Sequence, residues 1–402
     1  MPENKGLVGL RPVDEAAAEI FTAPPYDVIT YGTPLQKVLS GRENLIHVHL
    51  RPSEEGEARY LNAKKALDGF IAKGLLIRDD EPSYYVYRQS KKSVGLDRIG
   101  VLLACRVYDY KEGKVIRHEK TFDDKVVDRR KLCEATGYQL EVVFSVVEDR
   151  ERKLMEALRE VSESKPLYSF MSSFGGASDM EGVRNDVWKV PESSGMGKRI
   201  KRLIEGENAY IADGHHRYHC ALCMGCNYVQ MYISPSGSAR IQPYDRVVGS
   251  MNVEDLEALP AKMKEKFEVA EHDKLEVPEK HHIIFYFKDK ILMFKARSDF
   301  LKGLGDDPVA KLDCSIFKNH ILPSLSQGGK IGYFPGSETG FAHMKKLVDS
   351  GEYQFAVSLA PVEFNELKAV ADRGIANPEV VMPQKSTYFW PKILSGLFMY
   401  KF

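Results

Sequence analysis

One turn constrains this chain more than any other stretch. Residues 209–212, Ala-Tyr-Ile-Ala, are apolar and β-prone and read as a buried strand. Tyr218-His219-Cys220-Ala221-Leu222-Cys223-Met224 contains no breaker before Gly225 and reads as the first turns of a helix. Between the two stands Asp213-Gly214-His215-His216-Arg217, so a strand end must meet a helix start there. The first amides of a helix lack internal partners and its dipole is positive at that end, which suits an anion. Gly214 lets a ligand approach the backbone. His215, His216 and Arg217 are three potential cations, and Arg217 is charged at any working pH. Asp213 adds a carboxylate able to hold Mg²⁺ or to orient a histidine. Histidine pairs also occur as ordinary surface residues, and Asp-Gly is common turn chemistry. On these residues alone a phosphate site, a metal site and a plain turn all stay open.

The length of 402 residues allows two or three domains and an ample core. Hydrophobic content of 43% and charged content of 28% fit a folded protein. Lys+Arg and Asp+Glu each number 57, a net charge of +0, which argues against a broad nucleic-acid surface; no nucleic-acid partner is expected. No apolar run approaches the roughly 18 residues of a membrane helix. Met1-Pro2-Glu3-Asn4-Lys5 is polar, without the apolar core of a signal peptide. A cytoplasmic location with no membrane partner is the expectation. Of the six cysteines, Cys105, Cys133, Cys220, Cys223, Cys226 and Cys314, three form Cys-x-x-Cys-x-x-Cys. That spacing resembles part of an iron–sulfur run, but no fourth Cys and Pro follow. On a helix the three positions also fan over more than one face. Buried thiols in a reducing compartment are expected instead. A zinc site from His215, His216 and His219 is disfavoured, because adjacent histidines rarely converge on one metal.

Along the chain, Pro24-Pro25 forces an extended path before Tyr26-Asp27. Residues 44–52 alternate like a strand, and 56–73 show helical spacing up to Gly74. Residues 83–87 and 99–107 read as strands. Ile116-Arg117-His118-Glu119-Lys120-Thr121 and Asp128-Arg129-Arg130 then crowd charge beside a strand end. Such runs are usually solvated. The functional alternative is a carboxylate, Glu119, held among cations for acid/base work. Helices are expected at 154–161 and 196–206, on either side of a Ser/Gly-rich loop, and a strand at 228–233. Residues 281–287 and 290–295 form a hairpin around Lys288-Asp289. A weak helix follows near 312–325, then strands at 331–333 and 355–359 and a helix at 363–373. Near the end, Lys385, Ser386 and Thr387 lie between Pro383 and Pro391, a rigid loop suited to phosphate or carboxylate. Its aromatics, Tyr388, Phe389 and Trp390, also suit anchoring to the core.

These residues carry a resemblance. Asp213-Gly214-His215-His216-Arg217, His118-Glu119, Asp128-Arg129-Arg130, Ala23-Pro24-Pro25-Tyr26-Asp27 and the run from Met382 to Lys392 resemble a bacterial and archaeal family, domain of unknown function 1015. At the Asp-Gly-His-His-Arg, His-Glu and Pro-x-Lys-Ser-Thr motifs the chain is also similar to the archaeal free serine kinases of the ParB/sulfiredoxin-like superfamily. Those enzymes phosphorylate L-serine to O-phosphoserine and are much shorter than this chain. The resemblance implies an α+β fold: a ParB/sulfiredoxin-like nucleotide-binding core at 86–250, an N-terminal α/β region at 1–85 and a C-terminal α/β region at 251–402 that closes on substrate. It implies a phosphotransferase using Mg²⁺ and ATP or ADP, with nucleotide and a small hydroxyl compound, L-serine foremost, as partners. Glu119, Asp213 and His215 take the catalytic roles, with Glu119 as general base. Gly214, His216, Arg217, His118 and Arg129 take the nucleotide phosphates, Asp213 the metal, and Lys385, Ser386 and Thr387 the substrate. A ParB-like nucleotide-binding regulator and a phosphoserine phosphatase are the alternatives. One local departure is the cysteines at 220, 223 and 226, where the family tends to small apolar residues.

Overall fold

The apolar runs at 99–105, 143–147, 209–212 and 229–233 become the middle of a nine-stranded sheet in the computed structural model, which describes residues 2–29, 31–50, 55–325 and 329–402. The architecture is α+β and divides into two units, Met1–Arg240 with Pro391–Phe402, and Ile241–Trp390.

The main sheet of the first unit comprises β1 (Asn4–Lys5), β2 (Ser83–Lys91), β3 (Leu96–Arg106), β4 (Val115–Ile116), β5 (Val143–Val147), β6 (Tyr168–Met171), β7 (Arg184–Pro191), β8 (Ala209–Asp213) and β9 (Tyr228–Pro235). Their order is β4-β8-β5-β9-β3-β2-β7-β6, with β1 also beside β3. The β4/β8 and β5/β9 pairs are parallel and the rest antiparallel.

Alternation gives the sheet two unlike faces. Ile99, Val101, Leu103, Val143, Ile211 and Met231 face one core. Helices α2 (Lys153–Ser162), α3 (Gly195–Glu205) and α4 (His215–Cys223) contribute to that core through Leu154, Leu158, Ile200, Ile204 and Tyr218. Leu154 and Leu158, and Ile200 and Ile204, are four residues apart, so each pair forms one apolar stripe. The opposite face is also buried but polar, with Gln89, Arg98, Gln230, Tyr87 and Tyr232. The Arg98 guanidinium lies 4.8 Å from the centre of the Phe144 ring and donates to Gln89. The chain end returns to this unit. Gln89 Nε2 donates to the Lys392 carbonyl at 3.1 Å, and the Phe398 ring lies 4.0 Å from that of Tyr85. Met399–Lys401 then joins a four-stranded sheet with Gly9–Pro12, Leu76–Arg78 and Tyr138–Gln139. Helix α1 (Asp123–Thr136) packs directly on α4.

In the second unit β10 (Tyr244–Gly249), β11 (Phe267–Glu271), β12 (His282–Phe287), β13 (Lys290–Ala296), β14 (Lys330–Pro335) and β15 (Phe355–Leu359) form an antiparallel sheet, order β11-β13-β12-β15-β10-β14. Helix α5 (Glu338–Asp349) covers it with Met344 and Val348 against Val247, Ile284 and Ala356.

Several expectations are met: the hairpin around Lys288-Asp289, the strand at 355–359, and the helices near 58–72, 153–162 and 195–205. Residues 44–49 are not a strand. Asn44 Oδ1 accepts from the Ile46 amide at 3.0 Å and Ile46–His49 is a helical turn, because a short polar side chain can capture nearby backbone and override a weak alternation. Arg51 and Pro52 of that run lie outside the described residues. Asp128-Arg129-Arg130 lies within α1 rather than beside a strand end. The region 151–207 also contains β6 and β7, where Arg184, Asp186 and Lys189 disguise a strand that buries Asn185, Val187 and Trp188.

Candidate functional site

A register shift builds the centre of the site. Along β8, Tyr210 pairs with Val146 and Ile211 with Ser145, but Asp213 pairs with Phe144, so Ala212 is an extra residue. Simple alternation would put Asp213 on the side of Ile211, in the apolar core. One inserted residue reverses the side. Asp213 thereby joins Phe144 on the polar face. There its Oδ1 accepts from Lys392 Nζ, and its Oδ2 from Arg217 at 2.5 Å. Arg217 also donates to the Val142 carbonyl. Burial alone would raise the Asp213 pKa, but Lys392 and then Arg217 outweigh it and hold the carboxyl below its usual range.

Gly214 follows at φ +93° and starts α4 with no side-chain cap. A Cβ there would lie 2.9 Å from Arg217 Nε, so glycine is required both by the backbone angle and by the guanidinium above it. The first-turn amides of α4 are therefore presented without a capping side chain from Gly214.

His215 is buried and meets His118 edge to face, ring centres 4.5 Å apart, with the His118 amide 3.5 Å from His215 Nε2. The Glu119 carboxylate lies 3.8 Å from His215 Nδ1, too long for a hydrogen bond. His216 stacks on Phe122 at 5.7 Å. Burial lowers the pKa of all three histidines, to about 4 for His118 and His216 and well below the ordinary value for His215. This corrects the expectation of three cations in a row. At neutral pH only Arg217 carries charge, and the imidazoles act as neutral donors or acceptors.

A second cluster lies behind Arg217. Glu141 is buried and accepts from the Tyr26 amide at 3.0 Å and from Ser395 Oγ at 3.2 Å. His49 Nδ1 stands 3.8 Å away, and Arg129 3.9 Å away. Arg129 pairs with Asp128 at 2.5 Å and covers the Tyr26 ring at 4.0 Å. Burial would raise the Glu141 pKa, but His49, Arg217 and Arg129 bring it below the usual value. Glu141, Arg129 and Arg217 line one pocket with Leu132, Cys133 and Cys220.

The structure thus brings together Asp213, Gly214, His215, His216, Arg217, His118 and Glu119, and places Arg129 in the adjoining cluster. Lys385, Ser386 and Thr387 belong to the second unit. Ser386 and Thr387 are buried; Ser386 Oγ accepts from Cys314 Sγ at 3.2 Å and donates to the Pro383 carbonyl at 2.5 Å. Lys385 is exposed at φ +55°, its carbonyl held by Arg246 at 3.2 Å. The metal role expected for Asp213 does not fit, because each of its oxygens is held by a cation. Among the described residues no group of three or more His, Cys, Asp or Glu is arranged to hold a metal ion. Sequence reasoning missed Lys392, Glu141 and His49. The signal for Glu141 was a lone charge inside the apolar run 140–147; Lys392 stood at the end of a motif already singled out.

No curated protein matches the chain significantly in sequence, and no helix among the described residues is long and apolar enough to cross a membrane. Among solved structures the chain is similar to a conserved hypothetical protein from Pyrococcus furiosus, with 13% identity, 74% of this chain and 94% of that chain covered, and a TM-score of 0.35. It is also similar to SbnI with C-terminal truncation from Staphylococcus aureus, with 12% identity, 73% and 85% covered, and a TM-score of 0.40. A free serine kinase in complex with AMP shows 13% identity, 74% and 92% covered, and a TM-score of 0.34. The profile of a family described as proteins of unknown function, DUF1015, matches residues 5–315, and the chain belongs to that family.

Proposed function

We propose that this protein is a nucleotide-dependent kinase that phosphorylates a small hydroxyl compound, with free L-serine as acceptor and O-phosphoserine as product. The observation that carries this reading is the Glu119 carboxylate beside His215, the first residue of a helix whose glycine start leaves its amides to an anion. Phosphoryl transfer needs mainly positioning and neutralised charge. The amides at the start of α4 bind the phosphates of the nucleotide. Arg217 is locked by Asp213 and the Val142 carbonyl and adds fixed positive charge beside them. His118 and His215, kept neutral by burial, donate or accept hydrogen bonds without adding charge. Glu119 takes the hydroxyl proton as the acceptor oxygen bonds to phosphorus and the bond to the leaving nucleotide breaks. Such a base is typically worth about 10²–10⁴-fold. Because Asp213 is committed to two cations, it acts as a positioning residue, and Mg²⁺ enters as part of the nucleotide substrate.

The test is incubation with Mg²⁺, L-serine and either ATP or ADP, with O-phosphoserine read by mass spectrometry and nucleotide binding by calorimetry. The expected result is phosphoserine from one donor, with Glu119→Gln lowering turnover at least 10²-fold and leaving nucleotide binding nearly unchanged. Equal loss of binding and turnover removes Glu119 from the base role. Serine released from phosphoserine without nucleotide replaces the kinase by a phosphatase.

A further inference from the structure

The Cys-x-x-Cys-x-x-Cys run plays no part in the proposed phosphoryl chemistry, and the structure divides it. Cys220 is buried on the side of α4 that meets α1, Cys223 is exposed, and Cys226 is half-buried beyond the helix end. Across from Cys220 stands Cys133, from α1. The two thiols come from helices packed on each other and line the same pocket as Cys226, Met224 and Arg129. Cys220 Sγ also lies 3.6 Å from Met224 Sδ. Four sulfurs from two helices and the turn after them thus line one cavity. The Arg129 side chain reaches the same cavity, and its buried guanidinium nitrogen Nη1, 3.9 Å from Glu141, makes no hydrogen bond.

We propose that Cys133 and Cys220 are a modification site, a dithiol that a small peroxide entering this pocket converts to an intramolecular disulfide tethering α1 to α4. Thiol reactivity follows thiolate character and access. The Arg129 side chain lines the same cavity as Cys220, and the neighbouring Cys133, then, against burial, Arg129 and Arg130, favour a thiolate there, so Cys220 is the attacking sulfur. The neighbouring Cys220 and then burial raise the pKa of Cys133, which keeps its proton. Cys220 attacks one peroxide oxygen; the O–O bond breaks, and Cys220 becomes a sulfenic acid as hydroxide leaves and is protonated to water. Cys133 then attacks the sulfenic sulfur. An S–S bond forms, the S–O bond breaks, and the departing hydroxide leaves as water with the Cys133 proton. Two thiols lose two electrons and two protons, and one peroxide is reduced to two waters.

The inference is independent of the kinase reading, since its readout is the covalent state of the protein. The full-length protein is treated with stoichiometric hydrogen peroxide, alkylated, digested and mapped by tandem mass spectrometry. The expected product is a cross-link between the peptide carrying Cys133 and Cys220, lost on treatment with dithiothreitol. Cys133→Ser abolishes the cross-link and leaves Cys220 as a sulfenic acid captured by dimedone, whereas Cys226→Ser retains the cross-link. A bond from Cys220 to Cys223 or Cys226 instead, or oxidation confined to Cys223 with Cys220 still alkylated, overturns the assignment. Because the first readout uses the unsubstituted chain, a variant that fails to fold leaves the test intact.

Discussion

At the scale of residues, the centre of the candidate site is an electrostatic bargain around Asp213. Its two oxygens are held by Lys392 and Arg217, and the pair of cations offsets the desolvation of the carboxylate. Removing one partner leaves a largely buried charge half-compensated. Lys392→Met keeps the length of the side chain and removes its charge, and is expected to lower stability by about 3 kcal/mol. A shifted urea midpoint at unchanged slope checks this; a change within experimental error would mean that Arg217 alone suffices. The histidines follow a related logic. Sequence adjacency suggested a cationic string, but burial makes His215 and His216 neutral.

At the scale of elements, two devices position the site. The extra residue in β8 carries Asp213 from the apolar to the polar side. The left-handed Gly214 then starts α4 without its own cap. Helix α3 shows the ordinary arrangement for comparison. Ser194 caps it, Oγ accepting from the Gly197 amide at 3.0 Å, and Ile200 and Ile204 anchor it in the core. Ser194→Ala is expected to destabilise the first unit by about 1 kcal/mol, read as a lower melting temperature, with nucleotide affinity unaltered. A matching loss of affinity would show that α3 couples to the site.

At the scale of the molecule, the first unit is discontinuous. Its last residues return after the whole of the second unit, and Met399–Lys401 pairs with strands from near the beginning and from 138–139. The most strongly shifted buried histidines of the first unit and aspartates of the second also titrate in opposite senses. In the first, burial lowers His49 and His118 from 6.5 to about 4. The unfolded chain therefore binds more protons between these values, and stability present at neutral pH is lost as pH falls through that window. From pH 7 to 5 the loss is about 2 kcal/mol per histidine. In the second unit burial raises Asp245 and Asp313 from 3.8 to about 7. Stability there is greatest below the ordinary carboxylate pKa and is lost as pH rises toward 7, so the same acidification adds about 2 kcal/mol per aspartate. Protection factors from hydrogen exchange resolved by peptide at pH 7 and 5, corrected for the intrinsic slowing of amide exchange in acid, are expected to fall in the first unit and rise in the second. A parallel change in both would show that other groups dominate.

Consecutive residues were enough to read the strand, turn and helix across 209–224, the hairpin around Lys288-Asp289 and the motifs of the family, whereas Cys223, expected buried, is exposed and Cys226 lies past the helix end. Periodicity and turn chemistry are local properties, fixed within a few residues of the chain. The same local view misread 44–49, where one asparagine side chain redirects the backbone, and passed over β7, whose alternating charges hide a buried strand. Which groups meet was settled by the folded chain alone. It turned Asp213 toward the polar face by a register shift against β5, brought Lys392 to it from 179 residues away and set Cys133 against Cys220. It also neutralised the histidines by burying them. Ion pairing, desolvation and thiol contact depend on distances between segments far apart in sequence, and those distances exist only once the sheet has closed around them.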